Sequence, residues 1–332
     1  MIFFKHSKIF DYLINCVSGG FQAVGSFLAK FHLELACKML DFVFERKRQF
    51  TFVRRKTMIQ QEDLKRVSQF AVDIRIQAIR QFAKRGFGHV GGSMSIADLL
   101  SVLYCLDLRY NPQNPRMENR DWLVCSKGHA GPAIYAALAL KGFFPMEWLD
   151  TLNQPGTNLP SHCDRMKTPG VDVTTGSLGQ GLSIAAGVAM AQQREGRSSM
   201  TYCITGDGEC QEGQIWEAVL FAAQQRLSNL VLFVDQNGEQ LDGPTEKIND
   251  LKSFAEKFSA FHWNVLEVDG HDYVQLHDAI QEAKKHEGTP TAIIMHTVKG
   301  KGCSFAEGKF NHHINVSTEQ AEEAVAALQK GR

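Results

Sequence analysis

The residues best suited to chemistry are an aspartate and an asparagine in two glycine-bearing turns. Asp207 stands in Gly206-Asp207-Gly208-Glu209-Cys210-Gln211-Glu212-Gly213, and Asn237 closes Asp235-Gln236-Asn237-Gly238. A carboxylate beside an amide carbonyl is a hard oxygen donor set, suited to Mg²⁺ or Ca²⁺ rather than zinc. The flanking glycines let backbone approach a diphosphate that such an ion bridges. Taken alone, the same residues also describe an ordinary turn with an Asx cap. Histidines supply a second chemistry. His89 follows Gly88, His129 follows Gly128, and His162 lies in the long connection from Leu149 to Pro169. Imidazoles on loops carry protons near neutral pH. Gly176-Ser177-Leu178-Gly179 offers bare backbone and one apolar side chain to a cofactor, or equally a tight helix–sheet contact. The spacing holds no Cys/His zinc set, no Gly-x-Ser-x-Gly elbow and no dinucleotide fingerprint after a strand.

The elements that must position these groups follow from periodicity. Leu64–Lys84 and Ser95–Leu106 have helical spacing, Asp121–Cys125 reads as a strand, and Ala133–Lys141 as a helix. Val171–Thr175 is expected as a short strand before an Ala-rich helix over Ser183–Gln193. Met200–Thr205 and Leu230–Val234 are apolar, β-branched runs flanking an amphipathic helix, a parallel strand–helix–strand unit. That unit sets Asp207 and Asn237 at the carboxyl ends of neighbouring strands, where open α/β sheets bind ligands. Helices at Phe254–Phe258, Tyr273–Lys285 and from Thr318, with strands at Val265–Val268 and Thr291–Met295, complete the alternation. The fold class is α/β, a doubly wound and mainly parallel sheet with helices on both faces.

The chain has 332 residues and zero formal net charge, which removes the electrostatic case for nucleic acid or an anionic surface. A hydrophobic share of 44% and a charged share of 22% are ordinary for a globular protein. Eight cysteines without a Cys-x-x-Cys pair read as reduced thiols of a cytoplasmic protein. Residues 1–57 differ, being rich in Phe and Leu and closing on Arg46-Lys47-Arg48 and Arg54-Arg55-Lys56. Tyr12–Ala29 is short and polar for a membrane span, which needs ~20 apolar residues. Met58 opens an ordinary-looking start. We therefore expect residues 1–57 to be an extension outside the fold and 58–332 the folded domain, with an interfacial amphipathic anchor as the alternative.

Four motifs in fixed order carry a family resemblance: Gly88-His89-x-Gly91-Gly92, Ser126-Lys127-Gly128-His129-Ala130, Thr174-Thr175-Gly176-Ser177-Leu178-Gly179-Gln180-Gly181 and Gly206–Gly213 with Asn237. From about residue 62 to 305 the chain resembles transketolase, and its extent resembles the N-terminal, thiamine-diphosphate-binding subunit of a split enzyme of that family. The resemblance implies Asp207, Asn237 and the Glu239 carbonyl as ligands to Mg²⁺ (Ca²⁺ or Mn²⁺ also fitting). It implies that His129 and the Gly208 amide meet the diphosphate, and that Gly176 and Leu178 touch the cofactor's ring side. His89 and His162 would hold donor hydroxyls, with His312 as a further catalytic candidate from Asn311-His312-His313, which replaces the family's histidine-glycine tail. Glu212 and Glu217 match acidic residues at the family's subunit interface. Cys163 stands where the family has proline. The implied activity is transfer of a two-carbon ketol unit from a ketose phosphate to an aldose phosphate, as in the pentose phosphate pathway. It would require a partner chain bearing the pyrimidine-binding domain, in a heterotetramer. The α-subunit of a 2-oxo acid dehydrogenase shares the Asp207/Asn237 pattern and is the rival enzyme reading; a cofactor-binding regulatory subunit is the non-catalytic one.

Overall fold

The computed structural model describes residues 59–309 and 312–331. The expected extension at residues 1–57 lies outside them. The first helix, α1 (Gln61–Arg85), is built as its pattern requires: Val67, Ala71, Ile74, Ala78 and Phe82 recur on one buried face. Glu62 and Asp63 in its first turn and Lys84 and Arg85 in its last complement the helix dipole. Gly86, at φ +88°, ends it in the left-handed conformation that glycine adopts without strain. After β1 (Phe87–Gly88) and α2 (Val90–Met94), α3 (Ala97–Val102) runs into a wider π turn at Leu103–Asp107. The stretch Val90–Asp107 is apolar enough to cross a membrane, but 89% of it is buried inside the fold, so it is core.

The central sheet contains β2 (Trp122–Cys125), β3 (Thr201–Gly206), β4 (Leu230–Gln236), β7 (Asn264–Asp269) and β8 (Thr291–His296). Its spatial order is β2-β3-β4-β8-β7, with every pairing parallel. Two faces of alternate residues make two cores, as a pleat of period two demands. Tyr202, Ile204, Val231, Phe233, Ile293 and Met295 join the side covered by α3, α4 (Gly131–Leu140) and α9 (Tyr273–Lys285). Cys203, Leu232, Val234, Ala292 and Ile294 face α5 (Gln180–Arg194), α6 (Gly213–Gln224) and α8 (Phe254–Ala260). A small hairpin, β5 (Glu239–Gln240) with β6 (Gly243–Pro244), leads into α7 (Thr245–Asn249). Near the C-terminus β9 (Ile314–Asn315) pairs with β1, and α10 (Thr318–Lys330) closes a third core against α1.

One expected element does not form. Val171–Thr175 is not a strand, because side chains rather than backbone tie it to the sheet. Asp172 accepts from the Leu123 amide of edge strand β2 at 2.9 Å and from Arg120 at 2.6 Å. Gly170, at φ +86°, turns the chain just before it. The connection between His162 and Gly176 thus remains irregular and caps the sheet edge.

Candidate active site

In-register pairing of β3 with β4 sets Gly206 beside Asp235, so the two turns that follow lie next to each other. They open into a cleft of about 240 Å³ lined by Asp207, Asn237, Glu239, Lys127, Lys299 and His312, among others. Asp207 is buried, and its two oxygens accept from the Gly208 amide (2.8 Å) and the Gly238 amide (2.6 Å). Burial and the neighbouring charge of Asp235 push its carboxyl up to about 6 against the pull of those amides. The Asn237 carbonyl oxygen accepts the Glu239 amide at 3.2 Å, and its NH₂ donates to Asp235 at 3.0 Å, which fixes the amide's orientation. The Glu239 carbonyl receives the Lys299 ammonium at 3.1 Å.

Beneath the cleft lies a fully buried ion pair. Lys127 and Asp235 meet at 2.6 Å with side chains 2% and 0% exposed. Lys127 also donates to the Gly92 carbonyl (2.7 Å), while Ser95 and Thr297 hydroxyls donate to Asp235 at 2.7 and 2.5 Å. Buried charges persist only when paired and hydrogen-bonded in this manner. Asp235 therefore stays ionised, held below the usual carboxylate range by Lys127 despite its burial. Burial lowers the Lys299 ammonium from its ordinary value, with Lys127 adding to the effect and Glu239 opposing it. Glu209, also buried, bridges three turns: it accepts from Ser126, from the Gly179 amide (2.9 Å) and from the Gly206 amide (3.1 Å).

The histidines converge. His89 lies 5.4 Å from His129, 6.1 Å from His162, 5.2 Å from His312 and 4.7 Å from His313, measured between ring centroids. His129 and His312 are 4.7 Å apart. Burial, then the adjacent His312, pushes His89 down to about 4. Burial and the charges of Lys299 and Lys127 do the same to His312, also to about 4. Burial and Lys127 hold His129 well below its ordinary value, and burial lowers His162. All four rings are neutral at pH 7, each offering one donor and one acceptor nitrogen.

Of the residues expected from sequence, His129, Leu178, Asp207, Gly208, Glu212, Asn237, Glu239 and His312 line this cleft, whereas His89, His162 and Gly176 do not; His89 adjoins it through its ring contacts with His129 and His312 and in turn touches His162. The Gly208 amide is engaged by the Asp207 carboxylate in this structure. His312 lines the cleft, whereas His313 packs against Phe87 at 5.2 Å as well as His89. Glu212 lines the cleft mouth and Glu217 is exposed on the first turns of α6. Sequence reading passed over Lys127, Asp235, Glu209 and Lys299 as site residues. The signal for Asp235 was its place two residues before Asn237, at the end of a buried strand; Lys299 offered only a Lys-Gly-Lys-Gly turn.

The site fits the diphosphate of a cofactor. At Gly208 a Cβ would meet the Gln240 Cβ at 2.7 Å, and at Gly128 it would meet the Gly176 amide nitrogen at 2.8 Å, so bare backbone is required in both turns. Among the described residues no group of three His, Cys, Asp or Glu side chains is disposed to hold a metal. An ion held by Asp207, Asn237 and the Glu239 carbonyl would therefore need further oxygen donors.

Comparison with known proteins decides the family. Residues 67–330 match the model of the transketolase thiamine diphosphate binding domain. The chain belongs to the transketolase family. It is 50% identical over 258 residues to the 6-deoxy-6-sulfo-D-fructose transketolase subunit SqwG of Clostridium sp. (strain MSTE9), covering 77% of this chain and 94% of that one. It is 40% identical to an apulose-4-phosphate transketolase subunit from Phocaeicola vulgatus, covering 72% and 85%. Human transketolase is 37% identical, with 76% of this chain matching 40% of that protein. The transketolase structure from Leishmania mexicana superimposes with a TM-score of 0.74 at 33% identity, covering 80% of this chain and 41% of that one. The chain is thus the thiamine-diphosphate-binding part of a ketol transferase and spans about two-fifths of the single-chain transketolases it matches.

Proposed function

We propose that this chain is the diphosphate-binding subunit of a two-chain transketolase, completed by a partner bearing the pyrimidine-binding and C-terminal domains in a heterotetramer. The observation that carries the reading is the convergence, at one sheet edge, of an oxygen donor set, two buried lysines and four neutral histidines. Asp207, Asn237 and the Glu239 carbonyl would hold Mg²⁺, and His129 with Lys299 the diphosphate. When bound, thiamine diphosphate supplies a nucleophilic carbon that adds to a ketose carbonyl and stores the electrons of the broken carbon–carbon bond. The chain's own residues orient that reaction. His89 and His162 hold sugar hydroxyls, and as neutral imidazoles they accept a hydroxyl proton and return it. Leu178, 39% exposed, presents an apolar contact to the cofactor's ring side. Glu212, at the cleft mouth, and Glu217, on α6, are both exposed and so open to a partner.

The names of the relatives support a two-chain assembly and ketose donors with an anionic end, a sulfonate or a phosphate. The free thiols among the described residues accord with a reducing compartment, the cytoplasm. The test is co-purification with a partner and assay with thiamine diphosphate and Mg²⁺ against 6-deoxy-6-sulfofructose, apulose 4-phosphate and xylulose 5-phosphate. The chain alone should transfer nothing and the assembled complex should use at least one of these donors; turnover by the chain alone would refute the two-chain reading. The family match sets aside the 2-oxo acid dehydrogenase. A non-catalytic, cofactor-binding role would show as complex activity that survives Asp207→Ala.

A further inference from the structure

Two lysines line the described part of the cleft, and they are held differently. Lys127 is locked to Asp235, whereas Lys299 donates to the Glu239 carbonyl (3.1 Å) and is carried into the cleft by an irregular turn. That turn, at 297–301, leaves the end of β8, where the Thr297 amide donates to the Gln236 carbonyl (3.1 Å), and is gripped at four further points. Thr297 donates its hydroxyl to Asp235 (2.5 Å), the Val298 amide donates to His271 Nε2 (2.8 Å), the Gly300 amide to the Gly91 carbonyl (3.1 Å), and the Lys301 carbonyl accepts from Arg75 Nε (2.9 Å). Gln236 and Gly91 act through backbone carbonyls, and Asp235 already belongs to the cleft floor. His271 is different: it lines no part of the cleft and is itself held from behind.

The hold runs through buried charges. Arg75 of α1 grips Asp98 of α3 with two nitrogens, at 2.8 and 2.6 Å, both side chains being nearly fully buried. Asp98 Oδ2 lies 2.7 Å from His271 Nδ1. Because Arg75 keeps Asp98 ionised down to about 2, Asp98 presents only acceptors to the ring. Nδ1 must therefore carry a proton, and Nε2, which takes the Val298 N–H, must be bare. One tautomer satisfies both ends, and no rotation of the ring does. His271 is oriented further by its own amide, which donates to Asp269 at 2.9 Å.

We infer that His271, oriented by Asp98 and Arg75, is a positioning residue that fixes the Lys299 turn and so sets the affinity of the site for the anionic end of thiamine diphosphate. The inference rests on the functional reading above. A turn that holds the lysine's backbone beforehand leaves less ordering to be done on binding.

Two variants separate this role from general packing. Glutamine at 271 extends an acceptor oxygen toward the Nε2 position and can still meet Val298. Asparagine retains an amide near Nδ1 for Asp98 but stops short of Val298. The assembled complex would be titrated calorimetrically with thiamine diphosphate at fixed Mg²⁺, assayed for ketol transfer, and followed by backbone hydrogen exchange over residues 297–301. His271→Asn should raise the thiamine diphosphate dissociation constant about tenfold, the loss of one preorganising hydrogen bond, and speed exchange in that segment. Its kcat at saturating cofactor should stay within about twofold of wild type. His271→Gln should restore both affinity and exchange protection. Unchanged affinity in His271→Asn, or a His271→Gln variant as weak as it, would overturn the inference. Should His271→Asn not fold, ¹⁵N spectra of the wild-type ring decide: a bare Nε2 supports the assignment and a protonated Nε2 overturns it. A wild-type complex that binds the cofactor yet transfers no ketol unit would sink the functional reading and leave the His271 result standing on binding alone. A wild type that binds no thiamine diphosphate would sink both.

Discussion

Replacing Asp207 by asparagine should make the metal-free protein more stable and the metal-dependent one useless. Burial and the nearby Asp235 raise the Asp207 carboxyl from 3.8 to about 6. A raised carboxyl pKa means that the folded state holds the proton more tightly than the unfolded state. The resulting cost of folding is absent below the unfolded value, grows as pH rises toward 6, and is fully present at pH 7.5. Two pKa units correspond to roughly 3 kcal/mol. Asparagine removes the charge but keeps one acceptor; its NH₂ faces the Gly238 amide, a donor against a donor, which costs about 1–2 kcal/mol. The net gain is about 1–2 kcal/mol, or about 2–6 °C in the midpoint of thermal unfolding for a domain of this size. With Mg²⁺ and thiamine diphosphate the order should reverse. Ligand at about 100 times its dissociation constant adds about 2.7 kcal/mol to wild type, and the variant lacks the anionic ligand that makes binding possible. The measurement is scanning calorimetry of the full chain at pH 7.5 with chelator, then with metal and cofactor. An Asp207→Asn protein less stable than wild type in chelator would show that the carboxylate's two amide bonds outweigh its burial, and that the site is not strained toward a cation.

Lys127→Met should destabilise the fold by about 3–5 kcal/mol, because it strands Asp235 as a buried, unpaired charge; urea titration should also show that the Lys127→Met/Asp235→Asn double variant loses much less than the sum of the singles. Gly181→Ala should cost about 1–3 kcal/mol by overpacking, since a Cβ there would fall 2.7 Å from the Ser126 Cα; thermal unfolding checks it. His89 and His312 titrate at about 4 in the fold against 6.5 outside it. Their depressed values mean the unfolded state takes up protons first, so the stability they contribute is present above pH 6.5 and lost as pH falls toward 4. A His89→Gln/His312→Gln double variant should accordingly lose less thermal stability than wild type between pH 7 and pH 4.5, and an equal loss would contradict the assignment.

Much of this protein is legible in one dimension because its determinants are local. Strands β3 and β4 are short apolar runs ended by Asp and Gly, and a parallel unit of that kind must place Asp207 and Asn237 side by side at its carboxyl edge. The alternation of such units specifies the α/β class, and the turns after β3 and β4 supply most of the cleft wall. The expected strand at Val171–Thr175 failed because its β-branched residues describe a propensity, while Asp172 bonding to an edge-strand amide is a contact between distant segments.

Tertiary structure alone decided what sits behind the cofactor-facing residues. No spacing rule pairs Lys127 with Asp235 across 108 positions, or brings His271 to Asp98 across 173. Nor can sequence say that four histidines from separate loops come within ring contact of one another and that burial, helped for His89, His129 and His312 by neighbouring charges, keeps them neutral. Burial and proximity set those charges, and both arise only when the sheet carries the loop ends to a common edge. The sequence by itself determined which groups could bind a metal and a diphosphate; the fold determined that the Asp207 carboxylate is buried beside a second carboxylate, that the histidines are neutral, and that the Lys299 turn is held through His271, Asp98 and Arg75.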